Sequence, residues 1–191
     1  MKLVLASTSK FKSEILDKVK MKHHLVSSNY DEKKNIKDNV YEYVKKLSLG
    51  KANSINVTDC IILGLDTVLY VDGNIIEKPN SIHEAKENLK MSSGKTTSII
   101  TGIALINKYT NEYISDYQET KITLNEVDDV DLDYYIKQEP NVMYSSGFIV
   151  ETVASNFIKN INGSFYNILG VPVEKIYEYL LKWNINLKDL D

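Results

Sequence analysis

With 191 residues, 43% of them hydrophobic, the chain is long enough to bury one substantial core and short for a second full domain, so a single domain over residues 1–191 is expected, in two lobes at most. A formal charge of -3 and a pI near 5.7 argue against a basic face that would hold a nucleic acid polymer, and all 23 basic residues are lysines, which meet phosphate as point charges without arginine's bidentate fork. The lone Cys60 excludes an intrachain disulfide and an all-cysteine metal site, and no stretch approaches the ~20 apolar residues of a membrane span.

The opening Met1-Lys2-Leu3-Val4-Leu5-Ala6 is too brief for a secretory leader, so a cytoplasmic location is expected. It reads as a short buried strand that breaks into Ser7-Thr8-Ser9. A helix follows, with Phe11, Ile15 and Val19 on one face. A strand, a polar turn and a helix N-terminus in that order make a natural anion site, because the first amides of the helix lack partners. Residues 31–38 are charged and loop-like. Asn39 can cap a second helix that buries Val40, Val44 and Leu47. Residues 60–65 read as a central strand ended by Asp66, and Asp72-Gly73 as a hairpin turn between Val68-Leu69-Tyr70-Val71 and Ile75-Ile76. Ser81 with Glu84 forms a capping box for a helix reaching about Met91. Long strands are expected over 98–106 and 113–124, a short helix over 131–138 and a strand over 147–153. A closing helix carries Val173, Ile176, Tyr177 and Leu180. This interleaving predicts an α/β fold with a mixed, twisted sheet and flanking helices.

Chemistry concentrates at a few positions. An aspartate at the end of a buried strand sits where open α/β sheets bind ligands, so Asp66 suits a general base or a metal ligand. Taken singly it reads more readily as a turn residue or helix cap. Lys12, Lys51 and Lys78, in a chain so rich in lysine, read one by one more readily as solvated side chains.

The joint pattern is more specific. Leu5-Ala6-Ser7-Thr8-Ser9 resembles the opening of the Maf family, leucine-alanine-serine-x-serine-proline-arginine-arginine. Lys51-Ala52, Gly64-Leu65-Asp66-Thr67-Val68, Asp72-Gly73 and Lys78-Pro79 resemble its later motifs. Thr101-Gly102, Glu139-Pro140 and Ile161-Asn162-Gly163 continue the match in order across the chain. The resemblance implies a Maf/ITPase-like fold with two lobes around a cleft, a homodimer, and a nucleotide substrate cut between its α and β phosphates to monophosphate and pyrophosphate. It also implies a divalent cation, magnesium or manganese, held by Asp66 and Glu32. In that scheme Asp66 is the proton acceptor, Lys51 and Lys78 neutralise phosphate charge, and Ser7 with the helix N-terminus cradles the phosphate tail.

Departures from the pattern bear on specificity. Lys10, Phe11 and Lys12 stand where the family has proline and two arginines, Glu151 where it has glutamine, and Thr97 where it has histidine. An ionised glutamate only accepts hydrogen bonds, which suits the adjacent N1–H and N2 donors of guanine. An aromatic at Phe11 would stack best on a cationic ring such as 7-methylguanine, unless it belongs to the core stripe of its helix. Phe11 and Glu151 together resemble the branch acting on 7-methyl-GTP, which is the expectation adopted. Thr67 resembles the branch acting on dTTP and UTP. The alternative of another class is a non-catalytic nucleotide-binding regulator of cell division, motivated by the missing arginines.

Overall fold

A computed structural model describes residues 1–32, 39–145 and 148–191; the charged stretch 33–38 and the first residue of the strand expected over 147–153 lie outside the described residues. The elements run β1 (Lys2–Ala6), α1 (Lys10–Lys18), β2 (His24–Val26), α2 (Val40–Asn53), β3 (Cys60–Val71), β4 (Asn74–Ile76), α3 (Ile82–Ser92), β5 (Thr96–Asn107), β6 (Glu112–Leu124), α4 (Asp129–Gln138), β7 (Ile158–Asn162), α5 (Phe165–Ile168) and α6 (Val173–Lys182). Strand order is β2-β1-β3-β5-β6-β7, with β4 paired to β3. Parallel pairs (β1 with β2 and with β3) and antiparallel pairs (β3 with β4, β6 with β7) coexist, which makes this the mixed α/β sheet that the sequence predicts.

The first compact unit comprises Met1–Thr67, Ile100–Gln118 and Tyr166–Asp191. β1 and the first half of β3 are buried on both faces, so they read as unbroken apolar runs instead of alternating ones. α1 starts at Ser9, whose side chain accepts from the Lys12 amide, and α2 starts at Asn39, which accepts from the Glu42 amide at 2.9 Å. α2 buries Val40, Val44, Leu47, Ser48 and Ala52. Two glycines let it lie directly on the sheet. A Cβ at Gly64 would stand 2.1 Å from the Ser48 carbonyl oxygen, and one at Gly102 2.0 Å from that of Val44. α6 buries Ile176, Tyr179 and Leu180, with Tyr177 exposed; the expected stripe is corrected there. The reason is polar: the Tyr179 hydroxyl donates to Asp116 on β6, which also meets Lys175 at 3.1 Å. Burial, then the bond to Asp116, pushes the Tyr179 phenol up. Burial alone would raise the Asp116 carboxyl, but its bonds from Tyr179, the Tyr117 amide and Lys175 hold it below its ordinary value.

The second unit comprises Val68–Ile99 and Glu119–Phe165. β3 turns into β4 through Asp72-Gly73, with φ of 48° and 83°, the two positive values that a type I′ turn requires. Ser81 caps α3 through the Glu84 amide, but the Glu84 carboxylate accepts from the Asn80 amide at 2.8 Å, so the expected box closes one residue upstream. Lys86 bridges Asp129 and Asp133, tying α3 to α4. Tyr135 is fully buried, and burial pushes its phenol up to about 12.

Two expectations fail. The strand of 60–65 does not stop at Asp66: β3 continues to Val71 with Asp66 in its interior. No strand forms over the described part of 147–153, where Val150 to Thr152 form a turn and a 3-10 helix begins at Val153. There the Ile149 amide donates to the Tyr135 hydroxyl of α4 and the Thr152 hydroxyl donates to the Ile149 carbonyl, each at 2.9 Å, in place of strand pairing.

Candidate active site

Lys51 is the charged residue at the edge of the inward face of α2, one turn beyond Leu47. Its ammonium lies 2.5 Å from Asp66 Oδ1 and 2.9 Å from Glu32 Oε1. Asp66 is only 7% exposed, and a carboxylate so buried in mid-strand is tolerable because a cation meets it. Side chains alternate along a strand, so Asp66 shares the α2-facing side of β3 with Gly64, and the close approach at Gly64 is what brings Lys51 within reach. Burial alone would lower the pKa of Lys51. The charge of Asp66, its hydrogen bond and those of Glu32 more than offset that and hold it above the ordinary lysine value. Lys51 is therefore held in its cationic form between the two carboxylates.

Two carboxylates converging on one point, now taken by an ammonium, are an oxygen donor set that fits a hard divalent ion. Asp66 and Glu32 would hold it. No group of three or more acidic, histidine or cysteine side chains suited to a metal occurs among the described residues, so phosphate and water oxygens would complete the shell.

The opposite side of β3 carries a second cluster. The Lys12 ammonium donates to the Leu65 carbonyl and to Thr67 Oγ1, both at 3.3 Å, and Thr67 Oγ1 lies 3.1 Å from Thr101 Oγ1. Ser7 is buried in the turn ahead of α1, where its hydroxyl accepts from the Ser9 amide at 3.1 Å. Phe11 is 42% exposed in the first turn of α1, and the core is served by Ile15 and Leu16 instead, so Phe11 is not part of the packed stripe. Phe11→Ala is accordingly expected to shift unfolding free energy by less than about 0.5 kcal/mol in urea titration. A loss above about 2 kcal/mol would put the ring back in the core.

The structure thus brings Glu32, Lys51 and Asp66 together, and Lys12 with Thr67. Lys78 and Glu151 belong to the second unit, and both are exposed. Glu151 sits in a turn and not on the buried strand expected for it, so burial gives no reason for a function there. Sequence reasoning assigned no role to Thr101 or to Gly64, although both stand in quoted motifs; the signal available was a polar or side-chain-free residue inside an apolar strand.

The sequence profile of the family described as Maf-like protein matches residues 2–183. A protein of Clostridium perfringens named dTTP/UTP pyrophosphatase is 31% identical over 98% of this chain and 100% of its own length. One of the same name from Clostridium acetobutylicum is 32% identical over the same shares. Among solved structures, a HAM1 protein from Coxiella burnetii aligns with 65% of this chain and 73% of its own at 12% identity, with a TM-score of 0.43. With the profile spanning nearly all of the sequence and relatives above 30% identity matched end to end, the chain belongs to the Maf-like protein family.

Proposed function

We propose that this chain is a nucleoside triphosphate pyrophosphatase acting on dTTP and UTP. It is a hydrolase of acid anhydrides. The observation that carries the reading is the buried Asp66 carboxylate paired with the Lys51 ammonium, which also meets Glu32, an arrangement suited to a general base beside a cation. Full-length relatives named for dTTP and UTP favour the pyrimidine substrates, in keeping with Thr67. An incoming polyphosphate competes with Asp66 for the Lys51 ammonium. The carboxylate so released takes a proton from the water that attacks the α phosphorus, and the α–β bridging bond breaks with its electrons leaving on pyrophosphate. Lys51 and Lys78 neutralise the charge that develops, and Ser7 with the start of α1 receives phosphate oxygens. A bound divalent cation, magnesium or manganese on Asp66 and Glu32, supplies further charge neutralisation. The reading includes a cytoplasmic homodimer, and among the described residues no helix is long and apolar enough to cross a membrane.

A second reading, 7-methyl-GTP as substrate, draws on one observation: Phe11 is open for stacking, and Glu151 replaces a glutamine. Pyrophosphate and monophosphate are to be measured with magnesium or manganese and, separately, UTP, dTTP, CTP, GTP and 7-methyl-GTP. Preference for UTP or dTTP is the expected result. Preference for 7-methyl-GTP would transfer specificity to Phe11 and Glu151, and no product from any nucleotide would leave a binding protein without turnover.

A further inference from the structure

We propose that Thr101 is a positioning residue that commits the Thr67 hydroxyl to hydrogen-bond donation, so that the substrate atom meeting Thr67 is an acceptor oxygen. The inference rests on the nucleotide-hydrolase reading and adds to it a residue with no role so far.

A threonine hydroxyl has one proton to give and two lone pairs to fill. Thr101 is fully buried, and among the described residues Thr67 Oγ1, 3.1 Å away, is the hydrogen-bond partner of its side chain. A lysine ammonium only donates, so Lys12 at 3.3 Å fills one lone pair of Thr67 Oγ1. The contact between the two threonines is compatible with a proton running either way, but the two directions differ in consequence. If Thr67 donated to Thr101, the proton of a fully buried hydroxyl would be left without an acceptor, a desolvation cost that folded proteins avoid. If Thr101 donates, its own need is met, both lone pairs of Thr67 are filled, and the Thr67 proton remains on a half-buried side chain for a ligand. Leu65 and Thr67 lie on the same side of β3, and Lys12 is drawn to both, which fixes the ammonium as a standing donor to Thr67.

A hydroxyl committed in this way accepts nothing further. It welcomes a keto oxygen of a base or a non-bridging phosphate oxygen, and it meets an exocyclic amino group, itself a donor, without a bond. The 4-keto oxygen of uracil accepts such a bond, whereas the 4-amino group of cytosine donates.

The test compares UTP and CTP turnover by the wild-type protein, Thr101→Val, which keeps the volume and deletes the donor, and Thr101→Ser, which keeps the donor. Thermal unfolding monitors the fold. Thr101→Val is expected to lower the UTP:CTP ratio of kcat/KM at least about fivefold, and Thr101→Ser to hold it near the wild-type ratio. A parallel fall on both nucleotides, again spared in Thr101→Ser, would also support the committed donor and identify its acceptor as a phosphate oxygen. Should Thr101→Val not fold, Thr101→Cys, whose thiol is a weak donor, is expected to lower the ratio or both rates in the same sense. A folded Thr101→Val or Thr101→Cys protein indistinguishable from wild type on both substrates would overturn the inference alone. A wild-type protein that releases no pyrophosphate from any nucleotide would overturn the functional reading and this inference with it.

Discussion

Asp66→Asn is expected to lower pyrophosphate release about 10²- to 10⁴-fold, the range general-base catalysis contributes, while the protein stays folded. The amide keeps the shape of the side chain and an oxygen that can still accept from Lys51, and Lys51 keeps Glu32 as a charged partner 2.9 Å away. What the substitution removes is the capacity to take a proton. Lys51→Met makes the contrast. It leaves the Asp66 carboxylate, one-tenth exposed at its side chain, without its cation, and removing one partner of a buried pair costs about 3–5 kcal/mol. Activity and urea unfolding of both variants separate the roles: loss of rate at near-native stability for Asp66→Asn, loss of both for Lys51→Met. Near wild-type turnover in Asp66→Asn would remove Asp66 as the base.

These roles are only partly legible in the sequence. The position of Lys51 could be read, since Val44, Leu47 and Lys51 fall on one helical face and the first two are apolar; a lysine prolonging such a stripe is aimed at the sheet. The place of Asp66 in β3 could not. Aspartate is a poor strand former, and what makes it acceptable there, the Lys51 ammonium, is fifteen residues away in sequence. Local signals did well where the determinants were local: Asn39 and Ser81 as caps, Asp72-Gly73 as turn. They did poorly at the sheet's margins. β2 and β7 end the strand order, are short and mostly exposed, and so carry no apolar pattern to detect. Glu151 shows the converse failure. Phe148, Ile149 and Val150 read as a buried strand, but the Ile149 amide is spent on Tyr135, a partner that α4 supplies. The division of the candidate residues between the two sides of β3 follows from the period of two along a strand, and it becomes readable only once positions 66 and 67 are known to lie within one.

The largest structural effect is expected from Gly64→Ala and Gly102→Ala. Each Cβ would lie within about 2 Å of a backbone carbonyl oxygen of α2, Ser48 in one case and Val44 in the other, and backbone within a helix cannot swing aside as a flexible side chain can. The helix as a whole must retreat, at a cost of about 2–4 kcal/mol measured by urea unfolding. Gly73→Ala is the comparison: nothing stands within 4 Å of its Cβ, and only the positive φ opposes it, a cost of about 1–2 kcal/mol. Activity should separate the two kinds of glycine further. Retreat of α2 carries Lys51 away from Asp66, and a misplacement of ~1 Å in a catalytic arrangement can cost about 100-fold, so Gly64→Ala protein that remains folded is expected to be slow, whereas Gly73→Ala lies in a hairpin remote in sequence from α2 and keeps its rate. The two seat glycines act on one helix, so their energies should not add: once α2 has withdrawn for Gly64→Ala, the second Cβ at residue 102 meets space already opened, and the double variant should be more stable than the sum of the single losses predicts. Additive losses, or a Gly64→Ala protein of native stability and rate, would mean that α2 is not held against the sheet by this contact and that Lys51 reaches Asp66 by its own length alone.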